Sequence, residues 1–304
     1  MSESPASLVR GGNREAKLKQ VLATDESFHF VVLADPQFGL QESYVEKKSP
    51  PFSWTRELDL LDEAIRLINR MRERPKFVVI CGDLVHQGPG EPQHDQMISD
   101  LKVSLSRLDP EIDLIVLPGN HDLAAKPSPS DFSAYQAEWG NDYFRFSAGK
   151  WNCLVLNSQL WFDSSNCLEQ AQAQTEWLKN LVLEQKQKFD LVFQHIPPFI
   201  SEIDEADGYF NLPKANRDTI LELFWQAGVS HVFTGHLHYN CLSEWVPPSS
   251  TTFNDRKPIK LVTTSSVSVP LANDPPGFRV CHLSTNADLT HRYYSLLDAP
   301  TLLQ

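Results

Sequence analysis

The sequence predicts an α/β fold whose sheet is covered on both faces, and three observations carry that prediction. Short apolar runs of strand length alternate with stretches of helical periodicity, the pattern of βαβ units. Runs such as Phe77-Val78-Val79-Ile80-Cys81 are apolar on both sides, as in a strand buried on both faces. Several of the runs stop at a small cluster of Asp, Asn or His, three of them behind a glycine.

Residues 1–27 mix Ser, Gly, Lys and Glu without periodicity and predict a flexible N-terminal segment. Phe28 to Leu33 is the first strand, ending at Ala34-Asp35-Pro36, where Pro36 disfavours helical geometry at Asp35. Leu58, Leu61, Ile65 and Ile68 recur at helical spacing and end before Pro75. The second strand, 77–81, stops at Gly82-Asp83; residues 95–107 are helical again. A third strand, 112–117, stops at Gly119-Asn120-His121-Asp122. Tyr143 to Ser158 predicts a hairpin with its turn at Ala148-Gly149-Lys150, and 169–186 an amphipathic helix. Leu191 to Gln194 is a strand stopping at His195, residues 216–227 are helical, and His231 to Thr234 is a strand stopping at Gly235-His236-Leu237-His238. The expected domain is 28–298, with the motifs in 28–240 and strands of a second sheet in 241–298.

A chain of 304 residues with the motifs spread over one stretch suits one large domain. The net charge of −12 argues against a nucleic-acid surface, which needs clustered Lys and Arg. It does not exclude a phosphorylated substrate, because bound cations invert the local field. Five cysteines without a Cys-x-x-Cys make a disulfide framework or zinc ribbon a poor fit. Residues 1–20 lack an apolar core of a secretory signal, and no stretch approaches the ~18 apolar residues of a membrane span. The expectation is a cytoplasmic protein with no membrane and no obligate partner.

Ligands of α/β sheets bind beyond the carboxyl ends of the strands, so Asp35, Asp83, Asn120, His195, His236 and His238 are expected on one rim. Singly, each has a plain reading. An Asp after a strand is usually a turn or helix cap, Gly82-Asp83 an ordinary turn, and a lone His a satisfied core residue. His236 and His238 are stronger, because positions i and i+2 of an extended segment face the same way. The conjunction of five such clusters outweighs the plain readings. Carboxylates, imidazoles and one amide carbonyl, without thiolate, suit Mn, Fe, Zn or Mg. Two such ions about 3.5–4 Å apart activate a water and hold phosphoryl oxygens.

In this order the segments Asp35-Pro36-Gln37, Gly82-Asp83, Gly119-Asn120-His121-Asp122, His195 and Gly235-His236-Leu237-His238 resemble the calcineurin-like metallophosphoesterase superfamily. The resemblance covers roughly 28–240. It implies a four-layer α/β/β/α sandwich of two facing mixed sheets flanked by helices. Further segments, Val192 to Pro197, Tyr209 to Leu212 and His291 to Leu296, resemble a Ser/Thr protein phosphatase branch of that superfamily. The resemblance implies that Asp83 bridges two divalent metal ions, that Asp35 and His238 bind the first, and that Asn120, His195 and His236 bind the second. It makes His121 the general acid, with Asp122 orienting its imidazole.

One position departs from the pattern: Gln37 stands where the superfamily has a His. Its oxygen is either a weaker ligand or a neighbour of the ligands. His86 is either a substrate contact or a support for a ligand. The acidic segment Ser201 to Leu212, with Tyr209, is either a solvated loop or a rim that contacts substrate.

The implied reaction is in-line attack of a metal-activated hydroxide on a phosphoserine or phosphothreonine of a protein substrate, a phosphomonoester hydrolysis. The rivals are a phosphodiesterase acting on small nucleotides, and a catalytically weak scaffold that keeps the fold.

Overall fold

A computed structural model describes residues 7–8, 15–18, 27–184, 188–248, 257–286 and 288–303. Its first three long strands come from the three apolar runs: β3 (Phe28–Leu33), β4 (Phe77–Cys81) and β5 (Asp113–Leu117), all parallel. Each alternates between two cores, as the period of two demands. Phe28, Phe30, Val32, Phe77, Val79, Ile115 and Leu117 face a second sheet. Val31, Leu33, Val78, Ile80, Leu114 and Val116 face α1 (Thr55–Arg70), α2 (His94–Leu105) and α4 (Pro129–Trp139).

The second sheet is built on β6 (Phe144–Ala148) and β7 (Trp151–Val155), the predicted hairpin, then β8 (Leu191–Phe193) and β9 (His231–Thr234), parallel to β7. Its outer face is covered by α6 (Leu168–Leu183) and α7 (Lys214–Ala227). The layers are therefore helix, sheet, sheet, helix, the predicted four-layer sandwich. Aromatic rings cement the sheets together: Phe30 stacks on Phe77 at 4.8 Å and meets Phe193 and Phe233 edge-on at 6.0 and 5.8 Å. Truncating such a ring to alanine costs about 3–5 kcal/mol.

The strands after residue 240 do not form the second sheet by themselves; they divide between the two. Strand β10 (Cys241–Trp245) pairs with β11 (Ile259–Thr263), which extends the second sheet beside β9. Strand β12 (Gly277–Leu283) instead pairs with β3, and β13 (Leu289–Ser295) edges the first sheet. The reason lies in β12, which offers apolar side chains to both cores. Phe278 and Val280 join the helix-side core, while Cys281 and Leu283 join the inter-sheet core. Within the expected flexible segment 1–27, two short pieces pair. These are β1 (Ser7–Leu8) beside β5 and β2 (Glu15–Lys17) beside β6, which makes the sheets six- and seven-stranded. Most of that segment lies outside the described residues. The predicted 169–186 helix runs as α6 to Leu183, and residues 185–186 also lie outside them.

Candidate metal centre

The turns that leave the strands carry the expected residues in an unusual backbone state. Asp35, Gln37, Asp83, His236 and His238 all have positive φ, of 51°, 37°, 51°, 71° and 55°. Left-handed geometry at a side-chain-bearing residue costs of order 1–3 kcal/mol and persists only where the surroundings enforce it. Here neighbouring turns hold one another. The amides of Asp35 and Gln37 donate to the carbonyls of Gly82 and Asp83 at 3.2 and 2.9 Å, and that of Gly235 to His195 at 3.0 Å. Gly235 cannot be larger, because a Cβ there would lie 2.7 Å from Asp35 Oδ2. A Cβ on Gly119 would collide with Asp83 Oδ1. The first approach brings a loop of the second sheet onto the first, and the second packs two loops of the first sheet together.

Donor atoms converge in two sets. Asp83, His195 and His236 form one, and Asp35, Asp83 and His238 the other, with ligand atoms in each within 4.8 Å of one another. Asp83 belongs to both. His195 Nε2 lies 3.3 Å from Asp83 Oδ2, 3.1 Å from Asn120 Oδ1 and 3.2 Å from His236 Nδ1. His238 Nε2 lies 3.5 Å from Asp35 Oδ1. In each imidazole the other nitrogen faces a backbone carbonyl: Nδ1 of His195 faces Cys81, Nδ1 of His238 faces Val269, and Nε2 of His236 faces Tyr209. A ring N–H donated outward fixes the tautomer and points the lone pair inward.

Electrostatics agree with that assignment at His236 and His238. Burial, reinforced at His236 by His195, pushes His236 and His238 down to about 3 and 4, which keeps both neutral donors. Burial also lowers His195, but Asp83 and Asp35 outweigh it and hold His195 up at about 9. Burial raises Asp83, yet His195 and His121 overcome this and hold it well below the carboxylate range. Asp35 is raised, by burial first and then Asp83, against the opposing pull of His195. Carboxylates packed this closely with so little cationic compensation are stabilised by cations, and a cation at the His195 position releases that proton. Gln37 adds a further sign. It is 2% exposed, and its Oε1 is buried without a hydrogen-bond partner among the described residues. The donor set therefore fits two divalent cations.

The remaining expected residues surround this centre, in roles that partly differ from those implied. His121 Nδ1 lies 2.8 Å from the His86 carbonyl, and its backbone amide donates to Asp83 Oδ1 at 2.9 Å. Asp122 does not orient that imidazole. Its two carboxylate oxygens accept the Leu84 and Gly119 amides at 2.9 and 2.7 Å, so it clamps the two loops that carry Asp83 and Asn120. The α-helical turn α3 (Asn120–Leu123) points the carboxylate back at those amides, away from the ring. His86 stacks on His121 at 4.8 Å, and burial, then His121, pushes it down to about 4. Gln37 Nε2 sits 3.4 Å from His86 Nδ1, a long contact that turns Oε1 away from that ring. Tyr209 accepts a hydrogen bond from Asn120 Nδ2 at 3.1 Å and packs against the His236 ring at 4.9 Å. A cavity of about 430 Å³ opens beside Asn120, His121, His86 and Tyr209.

A profile of the calcineurin-like phosphoesterase family matches residues 28–240. The chain is also 40% identical over 274 residues to the serine/threonine-protein phosphatase CPPED1 of Danio rerio, covering 88% of this chain and 85% of the relative. The chain belongs to the calcineurin-like phosphoesterase family. It is a metallophosphoesterase, a hydrolase with a dimetal centre of unspecified metals. Among solved structures, a purple acid phosphatase from yellow lupin (Lupinus luteus) seeds shares the fold at a TM-score of 0.63 and 12% identity, covering 94% of this chain and 54% of that one. A dimetal phosphatase from Danio rerio shares it at 0.60 and 16%, covering 89% and 97%.

Within this phosphoesterase, sequence reasoning missed the residues that hold the turns. Ser266 and Ser268 are buried, and their hydroxyls donate to the carbonyls of Asp35 and Pro36 at 2.7 Å each. Ser265 Oγ donates to the His238 carbonyl at 3.1 Å. The signal was present, because Thr264-Ser265-Ser266 ends a strand as the ligand motifs do. Glu57, in α1, accepts the Gly39 and Gln41 amides at 3.0 Å each and steadies the loop after Gln37. Nothing in the helical periodicity of α1 marked it.

Proposed function

We propose that this phosphoesterase hydrolyses phosphoserine and phosphothreonine in proteins. The observation that carries the reading is Asp83, one buried carboxylate shared by two donor sets beside an open cavity. Its likeness to relatives named serine/threonine-protein phosphatases supports the substrate class. Asp35, Asp83 and His238, with Gln37 Oε1, would hold one cation, and Asp83, Asn120, His195 and His236 would hold the other. When bound, the two cations would supply Lewis acidity and lower the pKa of an attacking water.

The chain's own residues do the rest. Asn120 and Tyr209 line the phosphoryl side of the cavity and orient the ester. His121 donates its Nδ1–H to the His86 carbonyl, which leaves Nε2–H of the imidazolium for the leaving oxygen. The bond from water oxygen to phosphorus forms as the bond from phosphorus to the serine oxygen breaks. That oxygen takes the Nε2 proton, and the water's proton leaves to solvent. Asp122 keeps the Asp83 and Asn120 loops in register. The Tyr209 segment makes the rim. The compartment proposed is the cytoplasm, supported by five free cysteines; among the described residues no helix is long and apolar enough to cross a membrane.

The test is hydrolysis of a phosphoserine peptide and of a bis-aryl phosphodiester by metal-stripped protein with Mn, Mg, Zn or Fe restored. Metal-dependent turnover of the peptide alone is the expected result. Preferential turnover of the diester replaces this reading with a phosphodiesterase, and turnover of neither with metal bound leaves a scaffold.

A further inference from the structure

A second cavity, of about 530 Å³, lies between α2 and α4, beside the metal centre. The two cavities are neighbours along one wall. Pro89 lines both, and Asp122 lines the second while its chain neighbour His121 lines the first. Nothing in the proposed reaction uses the second cavity.

Its chemistry favours a cation. Asp95 and Glu138 line it, beside Asp122, whose oxygens already accept the Leu84 and Gly119 amides, against one amine, Lys102, which pairs with Glu138. The Lys102 ammonium lies 5.2 Å over the Trp139 ring, so this wall already holds one cation between a carboxylate and an aromatic face. Independently, Tyr135 lines the cavity at 3% exposure, and its hydroxyl has no hydrogen-bond partner among the described residues. A buried hydroxyl without a partner is costly and is satisfied when a donor enters. A guanidinium brings several donors and a planar face. The first cavity carries the same sign, with Glu91 and Asp131 on its rim.

We infer that the second cavity is a subsite for a basic side chain of the substrate, an arginine or lysine flanking the phosphorylated residue. The inference rests on the phosphoprotein reading above and narrows it to phosphoproteins with basic surroundings. A peptide laid across the metal centre places its phosphoryl group at Asn120 and His121 and its neighbouring cation between α2 and α4. Tyr135 and Trp139 favour arginine over lysine.

The experiment uses the full metal-loaded chain and pairs of phosphoserine peptides that differ only in arginine or alanine at each of the two positions on either side. The arginine peptide is expected to have a kcat/KM roughly fivefold above its alanine twin at one of these positions, mostly through KM. Asp95 is exposed at the start of α2, where substitution spares the core. In Asp95→Asn the ratio approaches one, in Asp95→Arg it falls below one, and Tyr135→Phe lowers it for arginine more than for lysine. The alanine peptide is the reference within each variant. No arginine preference in the wild type, or one that Asp95→Arg leaves intact, overturns the inference. Should no phosphopeptide be hydrolysed, the phosphoprotein reading fails on its own account. Calorimetric titration with an unphosphorylated arginine peptide then decides: binding lost in Asp95→Arg sustains the subsite, and no binding removes it.

Discussion

Three imidazoles at the centre share one device, an outward N–H held by a main-chain carbonyl and a second ring nitrogen turned inward. His195, His236 and His238 use the carbonyls of Cys81, Tyr209 and Val269. Main-chain acceptors cannot be lost by substitution, so ligand orientation depends on loop position rather than on a second set of side chains. Gln37 is the exception. Among the described residues its side-chain amide meets only His86, at 3.4 Å, and its oxygen is a weaker donor than an imidazole nitrogen. Gln37→His is expected to tighten the cation held with Asp35 and His238 by roughly tenfold, as read by calorimetry with Mn. Unchanged affinity and stoichiometry would place Gln37 outside the ligand set.

Among elements, the segment after β8 does more than rim the site. Arg217 in α7 is fully buried. Its guanidinium donates to the carbonyls of Leu212, Ile203 and Glu205 and to Asp207. Glu205 in turn accepts the Ile200 and Ser201 amides. The loop so fixed presents Tyr209 to both Asn120 and His236. Arg217→Met keeps the bulk and strands those carbonyls, at about 3 kcal/mol. It is expected to lower the melting temperature and weaken metal binding together; lower stability with unchanged metal affinity contradicts the coupling of loop to ligand. The acidic composition of this loop was legible in the sequence, but its anchor was not, because a single arginine in a predicted helix names no partner in a preceding loop. The ligands themselves were legible because each ends an apolar strand. The fates of β10 to β13 were not, since pairing partners are far apart in sequence and apolar alternation alone names no neighbour. The role implied for Asp122 came with the family resemblance, whereas in the turn of α3 its carboxylate meets the Leu84 and Gly119 amides instead.

At the scale of the molecule, two sheets meet across one aromatic core and bring their strand ends together at a single rim. That joint carries one buried histidine, His231, and one half-buried, His291, which the proposed reaction does not use. Burial, then His291, pushes His231 down to about 3, and burial, then Arg279, pushes His291 down to about 4. Both depart downward from an unfolded value near 6.5. The unfolded chain thus binds more protons below that value, so stability is complete above about pH 6.5 and is lost as pH falls toward 4. The melting temperature is expected to drop between pH 7.5 and 5, and less steeply in His231→Phe, which keeps a ring against Phe233 and removes the unpartnered Nε2. Equal slopes in a calorimetric pH series contradict this. The role proposed for Asp83 is to join two cations in one working centre. Its most direct test is the metal content of wild-type and Asp83→Asn protein by mass spectrometry, alongside phosphoserine-peptide turnover. Two divalent ions per wild-type chain, with fewer than two and turnover lost in the variant, is the predicted result. Full turnover by metal-free protein, or an unchanged metal count and rate in Asp83→Asn, would contradict it.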